Sequence, residues 1–546
     1  MNASDKLWWK EAIMYQIYPR SFQDSNGDGI GDLQGIISRL DYIASLGVDV
    51  IWLGPIYQSP MDDNGYDISD YYAIHPDYGT MADFEELLSG LHDRGIRLIM
   101  DLVVNHTSDQ HQWFQESRKS RDSPYRDYYI WRKPNPEGGP PNNWMAWFGG
   151  EAWELDEQTG EYYLHYFLRS QPDLNWENET VRQAVYDNMN WWLDKGIDGF
   201  RMDVISLLSK QLDYPNAANT NIHYLAEHHY ANGPQIHHYL QEMHSRVLAG
   251  RDIMTVGEGP GITKELALDY IGADRQELNM IFQLDAMIID HGPGGKMDVV
   301  PFSLVDLKKI MNSWDAAVSA RGWNNIFLDN HDFPRMVSRF GNDGAYRVQS
   351  AKLLNTYLLT MRGTPCIYQG SEIGMTNVAY DSPDDYRDEE STRYIAENGW
   401  NDETKRALHI QSRDNVRTPM QWTSDKDAGF TSGTPWIRTN PNYLEVNVAQ
   451  AEEDQQSVLH YFRQLTKLRK ATPVLVYGEY EDLLPDDEHL CIYRRWSGDS
   501  SCLVVLNFSS DIRTIPLAIE GYRLELTNYD MQGVDLQPWE SRIYFS

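Results

Sequence analysis

The chain has 546 residues, of which 41% are hydrophobic and 12% aromatic, and its formal net charge is −34. This length exceeds the roughly 250 to 300 residues at which a single core stops growing, so it predicts two or three domains, one of them large. The negative charge repels phosphate backbones and anionic membranes, which argues against a nucleic-acid partner and for a neutral or cationic substrate.

The N-terminus and the cysteines indicate the compartment. No cationic segment followed by an apolar one begins the chain, and no apolar run approaches the roughly 20 residues that cross a bilayer. Cys366, Cys491 and Cys502 show no metal-ligand spacing, which fits a reducing environment. We therefore expect a cytoplasmic protein without a membrane partner, present as a monomer or a weak homo-oligomer.

Short apolar segments rich in Ile, Val and Leu alternate along the chain with helical patterns such as the one beginning at Met81. Near-continuous apolar strands of this kind are typical of a parallel sheet covered by helices on both faces. Eight of them predict an α/β fold of the (β/α)8 TIM-barrel type. A doubly wound sheet is the alternative, but no glycine-rich dinucleotide turn follows the first strand. The segments begin at Ile13, Val48, Ile96, Ile197, Ile253, Met280, Asn325 and Thr364.

Two stretches interrupt this alternation. From His106 to about Trp176 the chain is dense in Trp, Tyr, Pro and Gly and too long for an ordinary loop, which predicts a small inserted domain after the third strand. From about residue 475, short alternating segments predict a C-terminal antiparallel β-sandwich domain. The predicted limits are 1–106 and 176–474 for the two parts of the barrel, 107–175 for the insert and 475–546 for the C-terminal domain.

The loop after the first predicted strand reads DSNGDGIGDL from Asp24, with acidic or amide side chains at alternate positions. An EF-hand needs a bidentate acid at the twelfth position, where this chain has Gly35, and it needs a helix rather than a strand before the loop. The sequence therefore argues against a calcium sensor. It leaves a structural metal loop and an unmetallated Asn/Gly turn as the two interpretations.

Acidic residues follow several of the predicted strands, where the active site of a barrel lies. Arg201 and Asp203 project from the same side of the fourth strand, either as a structural ion pair or as an ionised nucleophile beside its guanidinium. Glu258 ends the fifth strand, where nearby carboxylates would raise its pKa as a general acid requires. Asp332 follows His331 after the seventh strand. Three acids grouped with Arg and His predict glycoside hydrolysis.

Five motifs resemble the signature regions of the α-amylase superfamily, glycoside hydrolase family 13. They are DLVVNH from Asp101, QPDLNW from Gln171, GFRMDV from Gly199, VGEG from Val256 and NHD from Asn330. The resemblance covers essentially the whole chain and implies the same barrel, inserted domain and C-terminal β domain. It implies a retaining mechanism through a covalent glucosyl-enzyme. The implied catalytic residues are Asp203 as nucleophile, Glu258 as general acid/base and Asp332 as transition-state stabiliser.

The resemblance also implies a glucose pocket, in which Tyr66 stacks on the sugar ring. Asp63 and an arginine would block the far end, so that the enzyme removes single terminal glucoses. Arg417 is an alternative to Arg413 as that arginine, and Lys296 is either a contact to the second sugar or a solvated loop lysine. The implied substrate-binding residues are Asp63, Tyr66, His106, Phe167, Gln171, Arg201, Val204, Lys296, His331 and Arg413.

For the loop at Asp24 the resemblance implies one structural Ca²⁺, with Mg²⁺ as the alternative ion. The implied ligands are the side chains of Asp24, Asn26, Asp28 and Asp32 and the backbone carbonyl of Ile30.

Within the family, the strongest resemblance is to bacterial oligo-1,6-glucosidases and dextran glucosidases. In that group, a valine directly after the nucleophile, here Val204, accompanies a preference for α-1,6 linkages such as those of isomaltose, isomalto-oligosaccharides and isomaltulose. The resemblance leaves open whether the enzyme also transfers glucose to other sugars. Leu328 and Asp329 instead resemble sucrose isomerases, and Phe333 stands where a glucosidase more often has Gln. The arginine-rich stretch of sucrose isomerases is absent around Ile288. The alternatives are an α-1,4- or sucrose-type glucosidase, a sucrose isomerase, a trehalose-6-phosphate hydrolase and a non-catalytic binding homologue.

Overall fold

Eight parallel strands form the centre of the structure, a computed structural model that describes residues 6–530 and 533–546. Numbered β1 to β8, they are Met14–Ile17, Val50–Leu53, Arg97–Leu102, Gly199–Met202, Met254–Glu258, Met280–Phe282, Asn325–Ile326 and Thr364–Tyr368. Their order is β6-β5-β4-β3-β2-β1-β8-β7, and β6 contacts β7, where the rings of Phe282 and Phe327 lie 5.0 Å apart. Each predicted segment contains one strand, so the (β/α)8 barrel is confirmed.

Register decides which side chains meet at the carboxyl ends of these strands. Every residue of β1, β2 and β4 is buried, as expected for strands covered on both faces. In β4, Arg201 lies beside Asp101 of β3 and beside Val256 of β5. One guanidinium is thereby placed within reach of acids from both neighbouring strands.

Amphipathic helices cover the barrel. Met81–His92, for example, buries Phe84, Leu87, Leu88 and Leu91, and begins with a capping box between Thr80 and Asp83. The α-helices are Trp8–Glu11, Leu33–Ser38, Leu40–Ser45, Met81–His92, Gln112–Ser117, Glu179–Asp194, Ile222–Leu225, Ile236–Met243, Ala267–Ile271, Leu304–Val318, Met336–Phe340, Arg347–Thr360, Glu389–Asn398, Asp402–Gln411, Asp414–Arg417, Val448–Glu453, Val458–Ala471 and Pro473–Tyr477. In the part of the chain that the structure describes, no helix is long and apolar enough to span a membrane.

The inserted segment after β3 carries a three-stranded antiparallel sheet of Trp131–Arg132, Glu161–Leu164 and Trp153–Asp156. Its buried side chains form one hydrophobic cluster with those of the segment after β4. The Trp144 indole N–H also donates a hydrogen bond to the Pro215 carbonyl at 2.8 Å. A backbone bridge between His106 and Asp173 ties the end of the insert to the end of β3. The insert therefore adjoins the carboxyl end of the barrel.

The C-terminal region is an antiparallel domain, as predicted. One sheet has the order Glu479–Asp482, Leu490–Ser497, Ser500–Asn507, Ser541–Phe545 and Arg523–Thr527, and a second pairs Arg513–Thr514 with Asp535–Leu536. Buried side chains of both sheets form one cluster, which includes Val505 and Leu536. The limits proposed for the four segments stay predictions.

Two short antiparallel pairs complete the strands: Tyr57–Gln58 with Asp70–Ile74, and His291–Gly292 with Gly295–Val299. They follow β2 and β6 respectively and so lie in loops at the carboxyl side of the barrel.

Candidate active site

Arg201 binds three carboxylates at the carboxyl ends of β3, β4 and β5. Its Nη1 donates to Asp101 Oδ1 at 2.6 Å and to Asp203 Oδ1 at 2.8 Å, and its Nη2 donates to Glu258 Oε2 at 2.6 Å. The arginine side chain is 2% exposed. The structure therefore brings together Arg201, Asp203 and Glu258, as the sequence predicts, and adds Asp101, which was not among the predicted site residues.

Three carboxylates around one cation, two of them buried and Glu258 partly exposed, cannot all be ionised at low cost. Burial raises the pKa of Asp203 and of Glu258, Arg201 lowers both, and the facing carboxylates raise them again. The pair therefore retains one proton to a higher pH than two isolated carboxyls would. A general acid and a nucleophile in this pair need that proton on Glu258 and an ionised Asp203.

Val204 has a backbone conformation that β-branched residues rarely adopt, with φ of 35° and ψ of 43°. The resulting turn directs its backbone N–H to Glu258 Oε2 at 3.3 Å. A strained residue thus links the end of β4 to the acid on β5. Val204 therefore contacts the site through its backbone, and the role of its side chain stays a prediction.

Tyr66 and His331 form a stacked pair over the same carboxylates, with ring planes 8° apart. Gln16 Nε2 lies 2.8 Å from His331 Nδ1, which assigns the ring proton to Nε2, and Nε2 is 2.7 Å from the Tyr66 hydroxyl. That hydroxyl in turn donates to Asp101 Oδ2 at 3.1 Å. Because burial lowers the pKa of His331 to about 3, the imidazole is neutral at pH 7.

Asp332 faces two arginines. Arg417 Nη2 donates to Asp332 Oδ1 at 2.9 Å, and Arg413 Nη1 lies 3.3 Å from the same oxygen. Both arginines that the sequence offered for the glucose pocket therefore contact Asp332. Burial alone would raise the pKa of Asp332, but His331 and the two guanidinium groups hold it well below its usual range. Since His331 is neutral at pH 7, the arginines carry that effect, and Asp332 is ionised.

Asp388 lies behind both arginines, with a side chain that is 0% exposed. It accepts hydrogen bonds from Arg413 Nε at 2.7 Å and Arg417 Nη1 at 3.4 Å. Sequence reasoning missed it, because it stands among five acids in the seven residues DDYRDEE from Asp384, and nothing local indicates which of them is buried. Only the fold brings it to the arginines.

Asp63 and Arg413 lie close together on one side of the site. The Asp63 carboxylate lies 4.0 Å from Arg413 Nη2 and accepts a hydrogen bond from Gln171 Nε2 at 3.0 Å. Gln171 lies 3.3 Å from His106 Nε2, and the rings of His106 and Phe167 are 5.0 Å apart. Burial raises the pKa of Asp63 to about 7 and lowers that of His106 to about 4. All these predicted residues therefore form one wall.

Lys296 is neither isolated nor freely solvated. Its Nζ lies 2.6 Å from Glu390 Oε2, and its side chain is 16% exposed. Its positive charge helps to lower the pKa of Asp388, which places it near the arginine pair.

The loop at Asp24 lies between β1 and the helix Leu33–Ser38, separate from the residues around Arg201. Asp24 accepts backbone N–H groups of Asn26 at 2.9 Å, Gly27 at 2.7 Å and Gly29 at 2.8 Å, and the Thr431 hydroxyl. Gly29 is required there, since its φ is +93° and a Cβ would lie 1.8 Å from the Thr434 carbonyl oxygen.

The oxygen-only donors of this loop, three carboxylates and one amide, are of the type that Ca²⁺ takes. Asp32 caps the following helix through Gly35 N–H at 2.6 Å, while Asn26 and Asp28 each hold a backbone N–H two residues on at 2.8 Å. Among residues 6–530 and 533–546, no three His, Cys, Asp or Glu side chains are already arranged to hold a metal ion. Donor chemistry thus fits the ion, and the carboxylates would have to converge on it.

The alpha-amylase catalytic-domain model matches residues 16–478. The chain is 53% identical to the oligo-1,6-glucosidase of Parageobacillus thermoglucosidasius, with 99% of each chain covered, and 47% identical to the trehalose-6-phosphate hydrolase of Bacillus subtilis, covering 100% of this chain and 99% of the relative. A mutant isomaltulose synthase of Erwinia rhapontici in complex with sucrose superposes with a TM-score of 0.95 at 44% identity, with 99% of each chain covered. The barrel, the acids around Arg201 and these matches give one conclusion: the chain belongs to the α-amylase family, glycoside hydrolase family 13.

Proposed function

We propose that this glycoside hydrolase is a retaining, exo-acting α-glucosidase that releases terminal glucose from short α-glucosides and favours α-1,6 linkages. The observation that carries the proposal is the placement of Asp203 and Glu258 on the two terminal nitrogens of Arg201. Two carboxyls held side by side by one guanidinium suit the short separation of a retaining pair rather than the wider one that admits a water between them.

In the first step Glu258 gives its proton to the glycosidic oxygen while the Asp203 carboxylate attacks the anomeric carbon, which forms a glucosyl ester and frees the aglycone. In the second step Glu258 takes a proton from water, and the resulting attack on the same carbon releases glucose and Asp203. Asp332, kept ionised by Arg413 and Arg417, stabilises the positive charge that develops on the sugar ring.

The exo action follows from the closed end of the pocket. Asp63 lies 4.0 Å from Arg413 and accepts a hydrogen bond from Gln171, and we propose that these three residues close the pocket beyond the reacting glucose. With one glucose ring bound, these charged and amide groups would form hydrogen bonds with its hydroxyls. They would leave no space for a second sugar behind it.

Two cations near predicted site residues argue for a substrate without phosphate, because each is already paired. Lys296 is paired with Glu390 at 2.6 Å, and Arg339 is paired with Asp290, its Nε donating at 2.8 Å. A phosphorylated disaccharide would need cations that are not already neutralised. We therefore place the preference with unphosphorylated glucosides such as isomaltose, as for the oligo-1,6-glucosidase relatives.

The test is a comparison of kcat/KM on isomaltose, isomaltulose, maltose, sucrose, trehalose and trehalose 6-phosphate. We expect isomaltose or isomaltulose to exceed maltose, and Val204→Thr to move the ratio toward maltose by about tenfold, because one methyl-scale change at the aglycone is worth about 1 to 3 kcal/mol. Faster hydrolysis of maltose by the unmodified enzyme, or faster hydrolysis of trehalose 6-phosphate, would contradict the proposed substrate.

We further propose that the loop at Asp24 holds one structural Ca²⁺, or Mg²⁺, through Asp24, Asn26, Asp28, Asp32 and the Ile30 carbonyl. The ion would neutralise three acids that otherwise repel one another and so would stabilise the folded state. We expect Ca²⁺ added to chelator-treated protein to raise the thermal midpoint by a few degrees. Asp28→Asn should reduce that rise, while the exposed Asp93→Asn should leave it intact. An unchanged midpoint in the unmodified protein would refute the site.

We also propose a cytoplasmic, monomeric or weakly self-associating protein without nucleic-acid or membrane partners. The supporting observation is that all three cysteines are free and buried, as a reducing compartment allows. Light scattering over a range of concentrations would report the oligomeric state.

A further inference from the structure

A cavity of about 630 Å³ lies between two helices of the barrel and the C-terminal domain, and none of its residues belongs to the active site. We call it the junction pocket. It is lined from three segments: 344–352 at the start of the helix Arg347–Thr360, 454–464 at the start of the helix Val458–Ala471, and 527–530 of the C-terminal domain. Its volume is within the range of small-molecule sites.

The helix Arg347–Thr360 presents a bare N-terminus to this pocket. Its N-cap residue, Tyr346, makes no side-chain cap. Within the described residues, the backbone N–H groups of Val348 and Gln349 have no hydrogen-bond acceptor. The open N–H groups and the helix dipole favour an anion at this end of a helix of 14 residues.

Lys352 adds a buried cation on the same face of the helix, four residues after Val348. The residue is 7% exposed, it lines the pocket, and its Nζ lies 5.4 Å from the centre of the Tyr461 ring. In the part of the chain that the structure describes, the ammonium has neither a hydrogen bond nor an ion pair. Burial lowers its pKa, which Asp454 and Asp530 only partly oppose. The contacts of this ammonium are the face of the Tyr461 ring and the attraction of Asp454 and Asp530, and an anion in the pocket would add a direct ion pair.

The rest of the lining suits hydroxyl groups. Asp454 and Asp530 can accept hydrogen bonds, and the amides of Gln349 and Gln464 can both donate and accept them. Inorganic phosphate alone would fill little of the cavity and would face two carboxylates. We propose that the junction pocket binds a small hydroxylated phosphate of the sugar-phosphate class, with its phosphate on Lys352 and the helix end and its hydroxyls on Asp454 and Asp530.

Calorimetry on the full chain tests the proposal, with the active site saturated by a glucose-like inhibitor. The probes are glucose 6-phosphate, inorganic phosphate and glucose, and we expect the first to bind best. Lys352→Met should weaken its binding about tenfold or more, as for loss of a charge-assisted hydrogen bond. Lys352→Arg should retain part of it, and Lys467→Met, an exposed position on a pocket helix, should retain all of it.

Thermal midpoints of the variants, measured first, establish that each is folded. Equal binding by the unmodified protein and Lys352→Met would overturn the site, as would no binding of glucose 6-phosphate at all. Glucose binding as tightly as glucose 6-phosphate would overturn the phosphate assignment. Loss of glucose 6-phosphate binding when the inhibitor is added would place the ligand in the active site and overturn the junction pocket.

Discussion

Replacing Asp203 with alanine should lower kcat/KM for isomaltose by about 10⁴-fold or more, because it removes the atom that forms the covalent intermediate. The protein should remain folded, since Arg201 keeps its bonds to Asp101 and Glu258 at 2.6 Å each. The control is Asp93→Ala, which changes an exposed aspartate and should leave the rate unchanged. A loss of less than tenfold would show that Asp203 is not the nucleophile.

The product formed with added azide tests the same assignment independently. In Asp203→Ala the small anion can occupy the vacated volume and attack an aryl α-glucoside from the side of the missing carboxylate. The product should therefore be the β-glucosyl azide, and the rate should recover in part. An α-configured product would indicate another route.

The pH profile should report the coupled acids. The enzyme needs Asp203 ionised and Glu258 protonated, and burial raises the pKa of both. Activity should therefore fall as pH rises past the point at which the pair loses its last proton. Glu258→Gln should abolish that alkaline limb on aryl glucosides, whose leaving groups need no acid.

The barrel and the grouping of the three acids proposed as catalytic could be predicted from the sequence because their signals are local. Strands buried on both faces leave near-continuous apolar segments; Glu258 is the last residue of one such strand, and Asp332 lies a few residues after the end of another. The signal is weakest at β7, where only Asn325–Ile326 pair as a strand. There the chain soon turns, since Asn330 Oδ1 accepts the backbone N–H groups of Asp332 and Phe333.

The residues behind the acids could not be predicted in the same way. Asp101 was visible in its motif, but its role depends on the register that sets it beside Arg201. The left-handed backbone conformation at Val204 could not be predicted from the residue type, because β-branched residues rarely adopt it. The contacts among Asp63, Gln171 and Arg413 could not be read from local sequence, because the three residues are far apart in the chain.

We expect Asp388, which contacts both Arg413 and Arg417, to act as a positioning residue, and Asp388→Ala should lower kcat/KM by about 10²-fold. Arg413 and Arg417 would lose the carboxylate that fixes their geometry, and a displacement of about 1 Å at a catalytic contact costs about that much. Removing one partner from a buried ion pair should also lower the free energy of unfolding by about 3 to 5 kcal/mol, which urea unfolding would measure.

Chemical rescue separates positioning from general loss of stability. Alanine at this position leaves a gap next to two guanidinium groups, so formate should restore part of kcat in Asp388→Ala at a temperature where the variant is folded. Asp384→Asn, an exposed change four residues earlier, should need no rescue and should keep the full rate. If formate restores the thermal midpoint but not kcat, Asp388 only stabilises the fold. Recovery of kcat would establish that Asp388 aims both arginines at Asp332, which holds the charge of the transition state.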